Sequence, residues 1–121
     1  DTAVSTVIVS TNSVPVIVER AMWWPGPTPA TWAEAHASPG STARGLRWAV
    51  AEGEVGGPRN AETYLCIANT TQPVAAVNVT LLFEDGTTSS RWYIVLGNSR
   101  FSVSIKDDFP VSAGKRFGAL V

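Results

Sequence analysis

Reactive side chains are scarce in this sequence. One cysteine, Cys66, cannot close an internal disulfide and cannot build a thiolate metal site by itself. One histidine, His36, removes every two-histidine zinc or catalytic pattern. Charge is sparse as well: 16% of the 121 residues are Asp, Glu, Lys or Arg, nine Lys and Arg against ten Asp and Glu. A net charge of −1 and an isoelectric point near 5.7 argue against an electrostatic grip on nucleic acid or on acidic lipid. The longest apolar stretch, near 74–83, is broken by Asn78 and Thr80, so no segment reads as a bilayer span and no membrane insertion is expected. No basic-then-apolar leader opens the chain. No cofactor motif and no metal-ligand spacing is present. The acidic pairs Glu84-Asp85 and Asp107-Asp108 fit turn chemistry better than a Ca²⁺ loop.

Val, Ala, Thr and Ser fill the space left by these absences, and their order is informative. From 74 to 84, Ala75, Val77, Val79, Leu81 and Phe83 fall on one face while Asn78 and Thr80 fall on the other, the two-residue period of a strand. Asp85-Gly86 then predicts a hairpin turn, because Gly accepts positive φ. The return run 90–96 sets Trp92, Ile94 and Leu96 against Arg91, Tyr93 and Val95. After a second turn at Gly97-Asn98, Phe101, Val103 and Ile105 alternate with polar residues, and Phe101, Val103 and Ile105 are expected inward. These three runs are expected to form a meander. Further strands are expected at 61–69, 46–51, 14–22 and 4–10, with a turn at Asn12-Ser13 and a single helical turn within 107–114. Cys66, in an apolar strand, is expected in the core.

The segment 25–45 is irregular and rich in Pro and Gly, and 30–37 is expected to make one or two helical turns capped by Thr31. Low charge, many short strands and regular turn signals together predict one all-β domain over 1–121, an antiparallel sandwich of about seven strands with a long Pro/Gly-rich loop. The last residues, Phe117 to Val121, echo Ser5 to Val9 in pattern and length. A chain that carries the same strand near both ends looks like one offset period of a tandem array. Neighbouring repeats or other copies, meeting through edge strands, are then the expected partners.

The residues with potential chemistry gather between 19 and 52. Glu19 and Arg20 interrupt an apolar strand, and Glu34, His36 and Glu52 sit in or beside the long loop. A carboxylate–imidazole pair drawn from Glu34, His36 and Glu52 offers general acid/base chemistry. The plainer expectation is a structural polar network of Glu19, Arg20, His36 and Glu52 that pins the loop, because a buried charge needs a partner. Ser38 lacks a nucleophile elbow. Of five tryptophans, Trp23, Trp24, Trp32 and Trp48 fall in the first 48 residues. Exposed indoles stack on sugar rings, so these four are the candidate ligand-binding residues and a polysaccharide is the candidate ligand. The alternative is that they pack as a satellite core.

The motifs Val18 to Trp24 (VERAMWW), His36-Ala37-Ser38-Pro39-Gly40, Ala51-Glu52-Gly53, Glu62 to Asn69 (ETYLCIAN), Asp85-Gly86-Thr87 and Asn98-Ser99-Arg100 occur in this order. The set resembles a family of bacterial, mostly secreted, tandem-repeat β-sandwich modules of unassigned function, and the resemblance covers nearly the whole chain. Cys66 and Thr70 depart from the family pattern, which has an aliphatic residue and a Pro there. The resemblance implies an immunoglobulin-like fold, display outside the cell or at its surface, and no catalytic residue. The expected role is therefore a non-catalytic structural or adhesive module. A carbohydrate-binding module is the alternative, and a hydrolase-like site at Glu34, His36 and Glu52 is the third reading.

Overall fold

The structure, a computed structural model, describes residues 4–26, 28 and 32–121, with the backbone alone at 23–25 and 32–34. The described chain is all-β and antiparallel. Eight strands run in the order β1 (Glu19–Pro25), β2 (Trp32–Pro39), β3 (Ala49–Glu54), β4 (Tyr64–Asn69), β5 (Ala75–Phe83), β6 (Thr88–Val95), β7 (Ser99–Ser104) and β8 (Arg116–Leu120). One helical turn, α1 (Ile105–Asp108), and a 3-10 turn at Pro110–Ser112 sit between β7 and β8. The chain divides into two compact units, a smaller one made by residues 6–44 and a larger one built mainly from 45–121.

The larger unit has two sheets around one core. A four-stranded sheet has the order β3-β8-β5-β6, and a two-stranded sheet pairs β4 with β7. Alternation along β5 decides its inner face: Val79 and Leu81 are fully buried, and Phe83 nearly so. Tyr93 and Val95 of β6, Phe117 and Ala119 of β8, Leu65 of β4 and Val103 of β7 close on them, with Ile105 and Phe109 from the helical segment. Phe83 and Phe117 meet edge to face at 6.3 Å. The expected inward positions of 74–84 and the burial of Val103 and Ile105 hold, but Phe101 is exposed.

Three further expectations change in the larger unit. The runs at 75–83, 88–95 and 99–104 do not form a meander, because β7 leaves β6 and pairs with β4 in the other layer. The turn at 97–98 sits against the Thr71–Gln72 backbone, where the Asn98 amide donates to the Thr71 carbonyl at 2.8 Å. A β-carbon at Gly97 would run into the Gln72 carbonyl oxygen, so the layer change needs glycine there. Second, Cys66 is exposed, because its register partner is Ser102 on the outer face of β4–β7. Third, β3 begins at Ala49 and β4 at Tyr64, each later than the runs predicted.

In the smaller unit, β1 and β2 form an antiparallel hairpin with Arg20 opposite Ser38 and Met22 opposite His36. The helical turns expected at 30–37 are replaced by strand from Trp32 onward, and Thr31 lies outside the described residues. An antiparallel partner that satisfies every second backbone group outweighs a weak helix preference. The turn at Asn12-Ser13 is present: the Asn12 carboxamide accepts from the Val14 amide, and Ser13 has φ 60°. Residues 4–18, however, contain no assigned strand. Extended chain becomes a strand only where a neighbour takes its hydrogen bonds.

Replacing Gly97 by Ala is expected to lower stability by about 2 kcal/mol or more in urea unfolding, since the turn must move off Gln72. An unchanged midpoint would show that the turn has slack.

Candidate functional site

Surface charges in the larger unit are taken up by straps between loops. Glu54 at the end of β3 receives Arg59 and lies 4.0 Å from Arg116, and the Thr63 hydroxyl both accepts from the Glu54 amide and donates to its carbonyl. Lys106 of α1 pairs with Glu62 at 2.9 Å, and the Tyr64 hydroxyl donates to the same carboxylate. Hydrogen bonds from Arg59 and from Lys106 hold Glu54 and Glu62 below the usual carboxylate range. Asp85, in the β5–β6 turn, accepts from the Thr87 hydroxyl and amide and pairs with Lys115 at 3.1 Å. Thr87 and Lys115 bring its carboxyl down to about 2. Lys115 lies 4.7 Å from the centre of the Phe83 ring, so it ties the turn to the core. The Tyr93 hydroxyl is buried, and burial, with the Asp108 carboxylate beside it, pushes it up to about 12.

The residues singled out from the sequence fall in both units. Glu19 and Arg20 are both exposed and, as neighbours on β1, take opposite faces of the hairpin. His36 is exposed on β2 of the smaller unit. Glu52 is exposed on β3 of the larger unit, where it lines a shallow depression of 380 Å³ with Leu82, Glu84 and Arg116. The side chains of Trp23, Trp24, Trp32 and Glu34 lie outside the described part. Trp48 is half exposed, its indole N–H donates to the Gly45 carbonyl at 3.2 Å, and its backbone pairs with Val121. Among the described residues, no group of three or more His, Cys, Asp or Glu is placed to hold a metal ion.

Two features of the larger unit were not singled out from the sequence. The first is the outer face of the four-stranded sheet. Trp92 is 69% exposed there and stands directly opposite Asn78. Beside it, the Thr80 hydroxyl bonds the Asn78 carboxamide oxygen at 3.0 Å and the Ser90 hydroxyl at 2.8 Å. Ile94 and Leu120 extend this uncharged patch, and Leu82 borders it on the side of Glu52, Glu84 and Arg116. The alternation of 90–96 offered two faces; burial of Tyr93 and Val95 selects the one that leaves Trp92 outside.

The second is the unequal width of the two layers. Four strands span about three inter-strand spacings of ~4.8 Å, and two strands span one. The two-stranded layer lies toward β6: Phe101 packs on Tyr93 at 5.5 Å, Arg91 donates to the Asp108 carbonyl, and Asn69 reaches the Val95 carbonyl. Phe117 and Ala119 of β8 are covered, but at the start of β3 the inner face is not. Trp48 and Val50, which are placed on that face by pairing with Val121 and Ala119, are exposed by 47% and 40%.

No protein-family model matches the chain, and no curated protein or solved structure matches it.

Asp85 supplies a pH test. Its folded-state carboxyl titrates near 2, against 3.8 when free, so its contribution is complete above the free value and is lost as pH falls through the folded one. Melting temperature is expected to drop between roughly pH 4 and pH 2, and D85N is expected to drop less over that window. Parallel curves for the two proteins would remove Asp85 from the acid response.

Proposed function

We propose that this chain is a non-catalytic structural or adhesive module of an extracellular bacterial protein, an immunoglobulin-like sandwich used in tandem. One observation carries the reading. Residues 4–18 expose seven branched apolar side chains (Val4, Val7, Ile8, Val9, Val14, Val16 and Ile17), the last by 91%. Such a run, strand-competent and without a strand partner, is a liability in an isolated domain and an asset in one that joins neighbours. The echo between 5–9 and 117–121 supports the same reading, because it marks where one period hands over to the next. The bacterial, secreted setting rests on the motif resemblance alone. Repeats of this kind gain stability from each neighbour in addition to their own core.

A second reading, glycan binding, is favoured by Trp92 rather than by the tryptophans of the first half. An indole face beside a row of amide and hydroxyl groups suits the C–H face and the hydroxyls of a neutral sugar. Affinity electrophoresis through neutral polysaccharides is the check: retardation that W92A abolishes supports it, and free migration of the unmodified protein on every polymer sinks it.

For the module reading, two copies joined in one chain are expected to melt above a single copy, by about 4–8 °C for each kcal/mol gained at the junction. Identical melting temperatures for one and two copies would contradict it.

A further inference from the structure

We propose that the free edge of β4 is an acceptor for a strand from a second copy of this chain, and that residues 14–18 are the donor. The inference rests on the module reading above and deepens it by naming the two strands that meet.

The acceptor follows from the layer mismatch. β7 and α1 lie toward β6, and in this proposal the free edge of β4 looks toward the start of β3, where Trp48 and Val50 remain exposed and Ile67 and Val121 are only partly buried. A strand added beside β4 would take up the unpaired backbone groups of that edge and cover those inner-facing side chains at once. β4 belongs to a two-stranded sheet, so one of its edges has no strand partner among the described residues.

The donor follows from pattern. Val14, Val16 and Val18 share one face of an extended segment and supply branched apolar cover, while Val14 and Val16 are exposed by 53% and 61%. Hydrogen-bonding direction also alternates, so Val14 and Val16 offer their N–H and C=O groups to one side, the side on which the Val18 carbonyl already accepts from the Gly40 amide, and Pro15 and Ile17 to the other. Pro15, with no N–H to give, then faces away from β4 and blunts the new outer edge, the position where sheets tolerate proline. Addition stops at one strand for each acceptor.

Order along the chain bears on the donor alone. Residues 5–9 echo the stretch that contains β8, whose place between β3 and β5 is already filled in the larger unit. The turn at 11–13 comes next, and 14–18 comes after it. In the echo, therefore, 14–18 is the segment directly C-terminal to a β8-like strand. Donor and acceptor on different faces of one chain make a head-to-tail contact, which gives closed rings or open chains.

The test uses the full chain. Light scattering after size exclusion, over a range of loading concentrations, is expected to show mass rising with concentration. V16K is expected to raise the apparent dissociation constant by about tenfold or more, because the added strand would carry an unpaired ammonium into the interface. The native thiol gives a second readout: Cys66 lies exposed on the outer face of β4, where Ile17 of the donor would also point. Mild oxidation of I17C is expected to yield disulfide-linked oligomers that disappear in I17C/C66S, and S41C, in an exposed loop, is expected not to yield them. A protein that stays monomeric at every concentration, or whose oligomer is indifferent to V16K and gives no I17C-specific link, overturns the proposal. If the two-copy chain still melts higher than the single copy, the module reading survives that failure; if it does not, both fall.

Discussion

The packing of the β4–β7 pair onto the four-stranded sheet is the contact on which the larger unit depends. Val79, Leu81, Val103 and Ile105 are removed from water completely, and they come from both layers and from the helical turn. At roughly 1.5–3 kcal/mol for each buried branched side chain, four such residues outweigh any surface ion pair in this chain. The same contact fixes the unit's asymmetry. Two strands and one helical turn cover only part of what four strands present, and the uncovered part lies at the start of β3.

Three polar straps brace the larger unit. Glu54 with Arg59 ties a loop to the end of β3, whereas Glu62 with Lys106 and Asp85 with Lys115 join segments distant in sequence. Their carboxylates are held below their ordinary titration range by hydrogen bonds they accept. Holding a carboxylate ionised makes it a better anchor and a poorer proton donor near neutrality. A non-catalytic reading of the unit uses these groups as they stand.

Much of this fold was legible in the sequence because β5 and its turn follow simple rules. Alternation from Ala75 to Phe83 named the buried face, and Asp85-Gly86 named the turn, where Gly86 has φ 81°. Three features escaped because they depend on partners distant in sequence. The layer change of β7 depends on where Gly97 meets Gln72. Strand at 32–39 depends on β1 lying alongside, whereas the alanine-rich run by itself reads as helix. Cys66 faces out because the register with β7 sets its side, and an apolar neighbourhood in sequence does not reveal which side is wet. Of the candidate site residues, Trp48 proved half exposed, and Glu19, Arg20, His36 and Glu52 stand exposed on separate strands or opposite faces. Trp92 was visible only as one of two alternating faces until Tyr93 and Val95 claimed the inside.

An open edge at β4, and a strand in the same chain able to fill it, are the centre of this account. Amide hydrogen exchange at low and high protein concentration tests them most directly. Exchange at 64–69 and at 14–18 is expected to slow together as concentration rises, while the amides of β5, already paired on both sides, stay unchanged. Equal and rapid exchange of both segments at every concentration would contradict it.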